Sequence, residues 1–117
     1  MATQQLNRME LIGYVGAIRT SQVGGTLLAT MNVATNSVYR TLSGETVIET
    51  TWTVVTCFQK DVDTDLRSLS KGDAVHVTGR LRCDRYTGAD GVERTSYGVV
   101  ASSVMKVDAP LAPQELK

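Results

Sequence analysis

Across most of its length the chain alternates apolar and polar residues in short runs broken by glycine, and a period of two admits strands while leaving little room for helices. Five runs carry the pattern: 8–19, 26–39, 46–58, 74–86 and 92–107. Gly24-Gly25, Ser43-Gly44, Lys71-Gly72 and Asp90-Gly91 mark the reversals, because glycine supplies the positive φ that tight turns demand. One segment departs from the period. Val62, Leu66 and Leu69 fall on one face of a helix over 61–69, which Asp61 or Asp63 is placed to cap. Five strands with one short helix between the third and fourth give an all-β plan, that of an OB-fold barrel.

A chain of 117 residues fits one domain with a modest core. Residues 1–107 are expected to form it. Residues 108–117 carry both prolines and no periodic pattern, so a short flexible tail is expected there. No apolar run approaches the roughly 18 residues that cross a bilayer, and a soluble protein without a membrane partner is expected. The start, Met1-Ala2-Thr3-Gln4-Gln5, lacks the charged and apolar stretches of a secretory signal, and two cysteines are too few for a disulfide framework. A reducing, cytoplasmic setting follows.

Twelve basic and twelve acidic residues leave no net charge, so any attraction to nucleic acid must rest on local arrangement. The signs are segregated: Asp61, Asp63, Asp65 and Asp73 cluster in one stretch, and Arg80, Arg82, Arg85 and Arg94 in a later one. Aromatic rings are scarce at 5% of residues, yet Tyr39 and Trp52 stand at the two ends of one expected hairpin. A two-residue turn at Ser43-Gly44 would pair Tyr39 with Ile48 and Thr35 with Trp52. Tyr39, Ile48, Thr50, Trp52 and Phe58 would then share one side, opposite Thr53, Val55 and Cys57. On strand four, Val75, Val77, Gly79, Leu81 and Cys83 alternate toward the core, and His76, Arg80, Arg82 and Tyr86 away from it. Guanidinium groups pair with phosphate oxygens and aromatic faces stack on unpaired bases, so a face carrying both suits a single strand better than a duplex.

Each residue also has a plainer reading. A lone Trp in a β-protein is more often core or subunit interface, a lone Phe is usually buried, and a Tyr often covers apolar surface. His76 has no Cys or carboxylate at ligand spacing and is read as a solvated strand histidine, with no metal or other cofactor expected. Cys57 and Cys83 alternate inward and read as small buried hydrophobes. Ser, His and Asp are present without an arrangement that suggests a catalytic set, and no phosphate-cradling Gly-rich motif with a Lys occurs, so no enzyme activity is expected.

The segments LNRMELIGYVG, ATNSVYR, TTWTVVTCFQK, LSKGDAVHVTGRLRCDRY and DGVERTSYGVVA, running from Leu6 to Val107, resemble in order and spacing the bacterial-type single-stranded DNA-binding proteins. That resemblance implies an OB-fold that holds single-stranded DNA with little sequence preference, in DNA replication, recombination and repair at the nucleoid. It implies stacking positions at Trp52 and Phe58, with Tyr39 and Tyr86 where the family often has Trp. It implies cations along the DNA path at Arg8, Lys60, Lys71, Arg82, Arg85 and Arg94. A homotetramer is implied, with a dimer left open. Two departures weaken phosphate contact: Thr53-Val54 follow the Trp where relatives carry a cation, and Asp84 stands where a basic residue is frequent. The sequence ends on Glu115-Leu116-Lys117, without the acidic tip through which many relatives recruit replication and repair enzymes, so docking of such enzymes is doubtful. The alternative expectation is an accessory OB protein, primosomal or from a mobile element, that acts mainly through protein contacts.

Overall fold

A computed structural model describes residues 1–116. Lys117, the last residue of the expected tail, lies outside the described residues. Five long strands form the body: β1 (Met9–Val23), β2 (Thr26–Arg40), β3 (Thr46–Phe58), β4 (Ala74–Thr87) and β5 (Glu93–Lys106). They hydrogen-bond in the order β1-β4-β5-β3-β2, and β1 also pairs with β2, which closes the barrel. The expected all-β OB-fold barrel is therefore present. Each anticipated reversal contains a glycine at positive φ: Gly24 and Gly25, Gly44, Gly72, and Gly91.

One face of every strand fills the core. Val15, Met31, Val33, Val55, Cys57, Val75, Val77, Val99 and Val104 are all buried, and Leu66 and Leu69 close the barrel from the segment between β3 and β4. The barrel thus buries β-branched side chains that pack well on a pleated surface. No helix among the described residues is long and apolar enough to cross a membrane.

Between β3 and β4 the expected helix is replaced by two 3₁₀ turns, Gln59–Asp61 and Leu66–Ser68. Side chains have taken the backbone groups that a helix would need. Gln59 Nε2 donates to Thr64 O at 2.8 Å, Gln59 Oε1 accepts from Leu66 N at 2.8 Å, and Asp65 Oδ1 accepts from Arg67 N at 3.1 Å. Such local bonds compete with helical pairing. The capping role falls to Asp65 rather than Asp61 or Asp63.

The β2–β3 hairpin differs from its expected register by one residue. Gly44 N donates to Thr41 O at 3.0 Å, and the Thr41 hydroxyl accepts from Glu45 N at 3.1 Å, so the reversal is a turn followed by a left-handed Gly44 at φ 86°. Tyr39 then pairs with Val47, and Trp52 with Ala34. A slip of one exchanges the faces of a strand, and Tyr39 therefore lies on the side opposite Trp52 rather than beside it.

The segment after β5 runs along β2. Leu111 N donates to the Tyr14 hydroxyl at 2.7 Å, a two-residue strand β6 (Gln114–Glu115) pairs parallel with Ser37 and Val38, and Leu116 N donates to Val38 O at 2.9 Å. β1 leaves β2 after Ala34, so the edge beyond it would otherwise present unpaired backbone groups.

Cys57 is buried as expected, but Cys83 is exposed, because β4 and β5 continue past the barrel as a projecting hairpin. Burial, with Asp61 adding to it, pushes the Cys57 thiol up to about 11. At about pH 8 a thiol reagent should modify one cysteine per native chain, at Cys83, and reach Cys57 only on unfolding. Two equally fast thiols would contradict this packing.

Candidate nucleic-acid interface

The closed barrel fixes which side chains face outward, and the register follows that face across three strands. On β3 the residues out of phase with buried Val55 and Cys57 are Trp52, Val54, Thr56 and Phe58. β3 meets β5 in parallel with Thr56 opposite Val100, and β5 pairs with β4 so that Val100 faces Arg80, Gly98 faces Arg82, and Arg94 faces Tyr86. Trp52, Phe58, Arg80, Arg82, Tyr86 and Arg94 thus share one outer surface. Trp52 is 59% exposed and Tyr86 50%, while Phe58 is half-buried. Between the rings the surface stays low and apolar, since Gly98 carries no side chain and Val54 is 43% exposed. Trp52 and Phe58 are six residues apart on one strand, roughly 20 Å, too far for one small ligand to touch both.

Several anticipated cations join this surface. Arg8 lines a shallow groove with Arg80, Val100 and Ser102, and Lys60 stands with its Nζ 5.7 Å from the centre of the Phe58 ring. Lys71 lies in the turn whose Gly72 N–H donates to Val15 O. Two residues lie elsewhere. Tyr39 faces away from Trp52, in a groove shared with Glu115 and Leu116, and Arg85 pairs with Thr95 in phase with the core. Their face is that of Tyr97, a 64% exposed ring that the sequence reading did not select.

Acidic neighbours already hold most of these cations. Arg82 Nε donates to Asp84 Oδ1 at 2.9 Å, Arg94 Nη2 to Asp90 Oδ2 at 2.6 Å, and looser pairs join Arg85 to Glu93 and Arg8 to Glu10, both at 3.9 Å. The Arg94 side chain, then the Val92 N–H, holds the Asp90 carboxyl below its usual range, so this pair persists at neutral pH and is lost only in acid. All four pairs are exposed, where solvent screening leaves such contacts little net effect on stability. A phosphate can compete for each guanidinium.

One outward cation escaped the alternation argument. In β1, Val15 pairs with Val33 but Ile18 pairs with Met31, so a bulge places Gly16 and Ala17 against Asn32 alone. The bulge shifts the phase, and Arg19 emerges on the outer face opposite Thr30, in the row that continues to Thr56 and Val100. Among the described residues Arg19 has no ion-pair partner, and neither has Arg80.

Residues 6–107 match the Single-strand binding protein family. Single-stranded DNA-binding proteins of Neisseria meningitidis serogroup A and of Xanthomonas campestris pv. campestris are each 33% identical, over 103 and 101 residues. Each alignment covers 85% of this chain but only 58% and 59% of the relative, so the chain spans little more than half the length of those proteins. The fold superposes on the Plasmodium falciparum SSB complex with ssDNA with a TM-score of 0.76 at 25% identity, covering 92% of this chain and all of that one. A deletion mutant of the single-stranded DNA binding protein from Thermus aquaticus shares the fold at a TM-score of 0.70 and 23% identity, covering 88% of this chain and 51% of its own. With the match spanning the whole barrel and both projecting hairpins, this chain belongs to the Single-strand binding protein family.

Proposed function

We propose that the chain is a non-enzymatic protein that binds single-stranded DNA with little sequence preference and protects it in replication, recombination and repair. The observation that carries the reading is the open outer surface, on which the exposed Trp52 ring lies in register with Phe58, Tyr86, Arg80 and Arg82. Trp52 is the main platform, because its ring is large and exposed. Phe58 offers one edge beneath Lys60, and Tyr86 extends the track along the β4–β5 hairpin. Arg8, Arg82 and Arg94 attract phosphates, with Arg19 and Arg80 added to them. Lys60 and Lys71 flank the path. Tyr39 and Arg85 serve a strand of DNA only if it passes round the edge of a hairpin to the other side. We take the chain to act as a homo-oligomer at the nucleoid, as a tetramer or a dimer. Ile12 and Met105, each about half exposed on either side of His76, offer apolar surface for such assembly.

One observation favours the accessory reading, a protein that binds DNA weakly and works through protein contacts. Four of the six cations named from the sequence already have an acidic partner. Oligo-dT binding separates the two readings. Stacking is worth about 1–3 kcal/mol per base, so Trp52→Ala should weaken oligo-dT binding about 5- to 150-fold. No change on that substitution would remove the basis of the stacking reading.

The salt dependence tests the charges. Asp84→Asn should tighten binding and steepen the fall of affinity with salt, since a released Arg82 displaces a further counterion. Arg19→Ala should weaken binding to all sequences alike and reduce the salt slope by about one. A slope unmoved by either change would place the phosphates elsewhere.

A further inference from the structure

We propose that Gly16, at the bulge of β1, is a positioning residue that seats the Trp52 indole; the proposal rests on the reading of Trp52 as a stacking platform. A Cβ built on Gly16 would overlap Cζ3 of the Trp52 ring and stand 3.0 Å from Cη2 and 3.5 Å from Cε3. The six-membered part of the indole therefore lies across bare backbone. The other side of the seat is also small, since the residue paired with Trp52 is Ala34, only 7% exposed. A bulge at this point sets the height and direction of the β1 backbone beneath the ring.

Gly16 differs in kind from the two other close-packed glycines of the barrel. A Cβ at Gly13 would meet Ala34 O and stand 3.0 Å from Val33 Cγ1, and one at Gly79 would meet Val100 O and stand 2.8 Å from Ala101 Cα. Those glycines let backbones approach, and a side chain there strains the sheet. At Gly16 the obstacle is the far end of an exposed ring. Adding a methyl group displaces the ring and leaves the barrel intact. A displaced ring samples more orientations and must be reordered when a base stacks on it, which lowers affinity without removing any contact to DNA from Gly16 itself.

The single Trp makes the test direct, because emission excited beyond the tyrosine absorption band reports on this ring alone. In Gly16→Ala the emission maximum should shift and acrylamide quenching should rise in the free protein, with the melting transition largely retained. Affinity for a dye-labelled oligo-dT should fall about 5- to 30-fold, within the range set by loss of a stacked base. In a Trp52→Ala background the same substitution should change affinity less than about two-fold. Equal losses in both backgrounds, or unchanged emission with unchanged affinity, would overturn the proposal. Should Gly16→Ala alone melt early, a Trp52→Phe background, with its single smaller ring, must restore the melting temperature; failure to restore it would also overturn the seat. If Trp52→Ala leaves DNA affinity intact, the stacking reading fails, whereas unchanged Trp emission in Gly16→Ala sinks the seat alone.

Discussion

The phase of each strand around a closed barrel governs everything else in this molecule. Once Val55, Val77 and Val99 are buried, alternation leaves no choice for Trp52, Arg80, Arg82 and Tyr86, which must face outward together. The surface that can meet a polynucleotide is thus a by-product of burying the core. Local sequence preferences decide little here beyond where the phase is allowed to slip.

It slips between Thr78 and Gly79, where β5 carries an extra residue, and at two places that bear on the rings and cations. The Thr41–Glu45 reversal separates Tyr39 from Trp52, and the bulge at Gly16–Ala17 brings Arg19 outward while opening space under the indole. Only the bulge lies beside the ring that dominates the exposed face; the reversal stands at the far end of the hairpin. The β2–β3 and β4–β5 hairpins run on beyond the barrel, where Tyr86 and Tyr97 have no core to cover and remain open. The β2–β3 hairpin is covered along one edge, since β6 is laid against Ser37 and Val38.

Electrostatics temper the same surface. Two cations of the β4–β5 hairpin are matched by an acid a few residues away, Arg82 by Asp84 and Arg94 by Asp90, so the local field there is small. Long-range attraction is weak for a neutral chain.

Period-two alternation and glycine punctuation sufficed to read five strands and a barrel from residues alone, because a buried face leaves its imprint on every second position. The outward set on β4 was legible for the same reason. The pairing of Tyr39, the phase of Arg19, the exposure of Cys83 and the loss of a helix over 61–69 were not. Each depends on a hydrogen bond or register that joins residues across a turn, a bulge or another strand: Thr41 with Glu45, Gly16 and Ala17 against Asn32, β4 with β5 beyond the core, Gln59 with Leu66. The sequence by itself determined the strand plan and the buried face within the barrel, since burial of one face leaves apolar residues at every second position. Only the tertiary structure decided which exposed groups stand together, because that follows from strand pairing, where a shift of one residue exchanges the two faces of a sheet.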